Sequence, residues 1–218
     1  MKKEFKMVKL FEDVLNLYSD NLNQLSEERR NRCQKLKHFV NSENKLNEAN
    51  IKDLVDDSKS TDPKRIELSN TIYSVYKGVD SDGTLLFESD SQTRSGIVHK
   101  QRIFYEGFFN LLDKVDENEE ITEGDVINIL TGDVYIDCNC ESHLYWGFAY
   151  KAFKNDYGLR KETREPKKNN VSLNGSACKH ALSVLKLINQ SNTLYEEIAK
   201  DLNVLFQKYK KRNKLELR

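Results

Sequence analysis

The sequence predicts an α+β fold, and three features carry that prediction. Apolar residues recur at steps of three and four in the first quarter of the chain, a helical period. After Ser69 the pattern changes to strict alternation with a hairpin turn, the period of an antiparallel sheet. Two short pairs, Cys138/Cys140 and Cys178/His180, then bracket a C-terminal half rich in helical patterning. The expected division is a helical arm over residues 1–60 and an α+β domain over residues 61–218.

Within the arm, Phe11, Leu15, Tyr18, Leu22 and Leu25 line one helix face. The period falters at SEERRNR and resumes at Leu36 and Phe39, so Ser26 is a candidate cap for a second helix. NEANIKDLVDD (47–57) reads as a third, short helix, and the polar DDSKSTDPKR (56–65) as a boundary. The arm suits either an intramolecular hairpin or docking on another subunit.

In the domain, NTIYSVYKG and TLLFES read as strands joined by the turn DSDG, because Asp-Gly supports positive φ at low cost. The calcium-loop positions that would follow DSDG in an EF-hand are absent. GIVHKQRIFYEG is a third strand candidate; FFNLLDKV is ambiguous, and DENEE an acidic loop. TEGDVINILT reads as a helix capped by Thr122. Residues 133–137 read as a strand, and 141–155 as one helix that is apolar nearly all round and therefore buried. The polar stretch 156–176 is long for an unpinned loop. Helices resume at about Ala177 and after Ser191, the last opened by a capping box TLYE and carrying Leu194, Ile198, Leu202, Leu205 and Tyr209.

Composition limits the function classes. Lys+Arg and Asp+Glu are both 35, so the net charge is zero and no general attraction to nucleic acid or membrane is expected. The start, MKKEFKMVKLFEDVLNLY, is charged throughout, unlike a signal peptide, and no apolar tract is long enough to span a bilayer. A soluble intracellular chain with reduced thiols is the expectation, which favours metal binding over disulfides. P-loop, GxGxxG, HExxH and GxSxG signatures are absent, and an enzyme is not expected.

Cys138-x-Cys140 and Cys178-x-His180 offer three thiolates and one imidazole, the donor set of a tetrahedral zinc ion. Residues i and i+2 of an extended strand project to one side, so the first pair can face one ion. On a helix, i and i+2 point about 200° apart. Cys178 must therefore precede regular helix, a bend that Gly175 and Ser176 permit. Lys179 and the helix dipole can offset the excess negative charge. Four protein ligands leave no open position, so the zinc would be structural, stapling a strand end to a distant helix. Cys33 and His38 lie outside the pattern, and His143 reads as a helix-face residue or a partner of the ligands. Trp146, Phe148, Tyr150 and Phe153 are expected to pack near the site.

This CxC…CxH arrangement, with CNC before a helix and CKHALSVL opening another, resembles the SWIM-type zinc finger over about Asp133 to Leu187, although the insert between the pairs is long for that family. A closer likeness is to a group of tailed-bacteriophage proteins, carried by DCNCESHLYWGFAYKAF, RKETREPKKNN, ACKHALSVL and the preceding SGIVHKQRIFYEG. That likeness implies a structural virion or assembly protein in a particle or the host cytoplasm, whose partners are other virion proteins or a second copy. The SWIM likeness implies the alternative of DNA or RNA binding. The contact residues would then be Arg160, Lys161, Arg164, Lys167 and Lys168 in the loop, helped by the basic KYKKRNK near the end.

Overall fold

The computed structural model describes residues 49–116 and 119–216. The arm expected before residue 49, with Cys33 and His38, lies outside them, as does part of the acidic loop. The described chain is mixed helix and sheet. Helices α1 (Ile51–Thr61) and α2 (Pro63–Asn70) lead into strands β1 (Ser74–Val79), β2 (Leu85–Asp90) and β3 (Val98–Tyr105). Helices α3 (Phe108–Asp116) and α4 (Glu123–Leu130) precede β4 (Val134–Cys138). Helices α5 (Glu141–Tyr145), α6 (Phe148–Lys154), α7 (Lys179–Gln190) and α8 (Asn192–Glu216) complete the chain. The strands form one antiparallel sheet in the order β1-β2-β3-β4.

Alternation sorts the sheet residues between its faces. On β2, Leu85, Phe87 and Ser89 are buried while Asp90 is exposed. The buried face meets α7, which contacts all four strands. Ala181, Leu182, Val184 and Leu185 of that helix are fully buried against Phe87, Ile103 and Ile136. Burial of each large aliphatic side chain stabilises by roughly 1.5–3 kcal/mol. In α8, Leu194, Ile198 and Leu202 of the expected seam are buried and Leu205 is partly so, while the side chain of Tyr209 lies outside the described ones. That helix begins at Asn192, so Thr193 sits inside its first turn rather than capping it as TLYE suggested.

Thr122 does cap α4, in a reciprocal box with Asp125. The DSDG hairpin also forms, with Asp80 N–H donating to Thr84 O (2.8 Å) and Gly83 N–H to Asp80 O (3.0 Å). Gly83 has φ +84°, and a Cβ there would lie 2.4 Å from the buried Phe108 ring.

Two expectations need correction. Residues 141–155 do not form one helix: the chain breaks at Trp146–Gly147, where Gly147 adopts φ +85°. A Cβ at Gly147 would lie 2.6 Å from Pro166 Cγ, so this break is also where the later loop packs. The break turns Tyr145 (64% exposed) and Trp146 (37%) outward, and only Phe148 of the four named aromatics is fully buried. The polar stretch 56–65, expected as a boundary, is the end of α1 and the start of α2, joined at Asp62, whose side chain caps α2. Asp57, Ser58 and Thr61 of this stretch hydrogen-bond to distant residues, while Asp56 and Asp62 pair locally with Lys59 and Arg65.

The loop after α6 is pinned from its first residues. Ile136 N–H donates to Tyr157 O (2.8 Å) and Leu159 N–H to Ile136 O (3.1 Å). This short parallel bridge, with Val134 N–H donating to Ala49 O (3.2 Å), covers the outer edge of β4. Gly83→Ala is expected to destabilise by about 1–3 kcal/mol, through positive φ and the clash with Phe108, read as a lower urea midpoint with unchanged slope.

Candidate metal centre

The four predicted ligands converge. Cys138 ends β4; Cys140, two residues on, is the N-cap of α5, with φ −72° and ψ 154°. Cys178 is the N-cap of α7, with φ −68° and ψ 161°, and His180 is the second residue of that helix. Cys178 thus precedes regular helix, as the spacing required. Both cap sulfurs accept helix N–H groups, Cys140 Sγ from His143 (3.3 Å) and Cys178 Sγ from Ala181 (3.5 Å). The donor atoms of all four residues lie within 4.8 Å of one another, all four are buried, and the cysteines are not in disulfides.

The set fits a metal ion by its chemistry. Tetrahedral zinc with thiolate and imidazole ligands spaces its donors roughly 3.6–3.8 Å apart, within about an ångström of the upper limit here. Both ring nitrogens of His180 are buried with no hydrogen-bond partner, a costly state that metal ligation relieves at one of them. Hydrogen bonds from Cys138 and Cys178 pull the Cys140 thiol far down, while burial pushes the Cys138 and Cys178 thiols up. Three buried thiols in mutual contact cannot all ionise without a compensating charge, which a divalent cation would supply.

Surrounding groups fix the ligands. Asn139, between the first two cysteines, is locked to β3: Lys100 N–H donates to its Oδ1 (2.9 Å) and its own N–H to Lys100 O (3.1 Å). Gln101 Nε2 donates to Cys138 Sγ (3.5 Å) and its Oε1 accepts from Ser89 Oγ (2.9 Å). His99 packs on His180 in a tilted arrangement, with ring centroids 4.3 Å apart. The buried His143 places Nε2 3.3 Å from Asp137 Oδ1, so it is a partner of the site rather than a ligand. Lys179 lies between the ligands in sequence, but its ammonium donates to Gln92 Oε1 (2.5 Å).

The second pair is placed by helix α1. Ser58 Oγ accepts from Ser176 N–H (2.9 Å) and Thr61 Oγ1 from Gly175 N–H (2.8 Å). Lys151 Nζ donates to Asp57 Oδ2 (2.8 Å) and Gly175 O (3.0 Å), and Ser176 Oγ also donates to Asp57. Tyr157 OH closes the group on Ser176 O (3.0 Å). These residues carry no spacing motif, so nothing in the sequence marked them.

The basic loop residues separate. Arg160 grips Asp137 with Nε (3.0 Å) and Nη2 (2.9 Å). Burial opposes charge on Asp137, but the hydrogen bonds from His143 and Arg160 outweigh it and hold the carboxyl down at about 2. Arg164 is engaged with Glu162 through Nε (2.9 Å) and Nη2 (2.5 Å). Lys161 is partly buried and engaged, while Lys167 and Lys168 are exposed. The structure therefore ties the two arginines to carboxylates of the fold, one of them beside the metal site.

No protein-family model, curated protein or solved structure matches the chain. The protein purified without chelator is expected to carry one zinc per chain by elemental analysis. Cys138→Ser and Cys178→Ser are expected to lose the metal and at least about 5 kcal/mol of stability, roughly 10–20 °C in Tm.

Proposed function

We propose that the chain is a non-enzymatic structural protein whose zinc site fixes a scaffold for protein–protein contacts, as a component of a tailed-phage virion. The burial of all four ligand side chains carries this proposal. An ion held by four protein atoms has no position for water or substrate, which favours a structural over a catalytic metal. The CxC strand, aromatic segment, basic loop and CKH helix support a virion location through their likeness to phage proteins.

The outward face of the sheet supports a contact role. Tyr73 (69% exposed), Val75 and Val98 project from the face opposite α7, with Asp90 between Tyr73 and Val98. Tyr73, Val75 and Val98 alternate there with Glu88, Asp90 and Lys100, a mixed apolar and charged face that suits a protein surface, and sister virion proteins are the partners. Among the described residues no helix is long and apolar enough to cross a membrane.

In particles purified from the encoding phage, the chain is expected at a fixed ratio to the other virion proteins. Val75→Glu combined with Val98→Glu is expected to leave zinc content unchanged and remove the chain from particles. A chain absent from wild-type particles and sedimenting as a free monomer in lysates refutes the proposal.

A further inference from the structure

An open groove of about 410 Å³ lies beside the helix break, between the start of α2, the Trp146–Gly147 turn and the loop around Lys168. Its volume falls in the range of small-ligand sites, about 300–1,000 Å³. Three separate chain segments meet there. From α2 come Lys64 and Arg65; from the turn, Trp146; from the loop, Lys168, Asn169 and Asn174. Trp146, the chain's single tryptophan, is 37% exposed. A large aromatic turned toward solvent among cations and amides is not core packing.

The walls are held in place by the fold. Pro166 packs on Gly147, which has no room for a Cβ. Asn170 closes the loop by donating to Asn174 O (3.1 Å) and accepting from Asn174 N–H (2.8 Å). Arg65 is committed to Asp62, the one acidic residue of the groove, at 2.7 Å, and its guanidinium lies 5.9 Å from the Trp146 ring centroid and 4.7 Å from that of Phe148. It buttresses the indole while cancelling Asp62. Lys64 and Lys168 are exposed and make no ion pair among the described residues, so their charges face the groove uncompensated.

We propose that this groove binds single-stranded nucleic acid, with Trp146 as the platform for one base and Lys64 and Lys168 as contacts to flanking phosphates. An accessible aromatic face flanked by cations is the arrangement that tracks a single strand, whose unpaired bases stack irrespective of sequence. The side-chain amides of Asn169 and Asn174 offer donors and acceptors to base edges. An acidic peptide would use the same charges but has no planar ring to place on Trp146. The site is distinct from the metal centre and does not rest on the assembly role: a virion protein without this groove's activity remains a virion protein.

The test uses the full zinc-loaded chain and a twelve-nucleotide oligothymidine. Stacking on the single tryptophan is expected to quench its fluorescence saturably. Two phosphate contacts give a slope of log K against log salt of about −1.4, falling to about −0.7 for Lys64→Ala or Lys168→Ala alone. By anisotropy of a labelled strand, Trp146→Ala is expected to weaken binding about tenfold or more, and Trp146→Phe to weaken it less. Zinc content reports that each variant is folded. Unchanged affinity in the Lys64→Glu, Lys168→Glu double variant overturns the proposal, as does absence of quenching. Equal affinity for a poly-glutamate peptide of matching charge also overturns it, leaving an anion-attracting surface without base recognition.

Discussion

Three sulfurs and an imidazole are crowded into a water-excluding interior, and much of the domain is arranged around that cluster. Cys140 and Cys178 occupy positions where Ser, Thr or Asp ordinarily caps a helix. Each sulfur accepts a helix N–H and belongs to the cluster that could hold a metal ion. With a metal bound, capping and ligation would be one interaction. The positive ends of α5 and α7 favour thiolate at both caps, and an ion bound there would tie the starts of the two helices together. α7 packs on all four strands and Cys138 ends β4, so the Cys/His cluster is joined to the sheet through both a helix and a strand.

The sheet is also tied to the site through polar atoms. Ser74 Oγ contacts Ser89 Oγ (2.7 Å) and donates to Ser183 Oγ on α7 (2.9 Å), which donates to Ile72 O (3.0 Å). Ser89 reaches Gln101, and Gln101 reaches the Cys138 sulfur. A buried row of hydroxyl and amide groups is costly unless every member is paired, and here each has a partner. The row fixes the strand register from β1 to β4 at the level of the Cys/His cluster, where apolar packing alone would tolerate small shifts.

What was legible in the sequence was local. The alternation around Tyr76 and Phe87, the Asp-Gly turn, the Thr122 cap and the CxC and CxH pairs each place chemistry within a few residues, and each formed. The features that eluded it join distant segments. Asp57, Ser58 and Thr61 read as linker polarity, yet they hold Gly175 and Ser176 more than 110 positions away and so orient Cys178. Arg160 read as a free cation because its partner Asp137 lies on a strand 23 positions earlier. The break at Gly147 was hidden by apolar neighbours with helical spacing, since one glycine inside such a pattern does not announce a left-handed residue.

That break connects the closed metal centre to the open surface. A continuous helix from Glu141 to Asn155 would carry its aromatic residues around one axis, and most would need covering. Reversal at Gly147 instead sends Phe148 and Ala152 inward and leaves Tyr145 and Trp146 outside. The same glycine accepts Pro166, and the loop that Pro166 begins returns to Gly175 and the second metal pair. The exposed indole and the buried ligands are thus set by one path of chain, anchored at Cys140 and at Cys178. A metal held by these four ligands would act through such placement alone: it would set which side chains reach the surface, and in what geometry, while taking no part in what they contact.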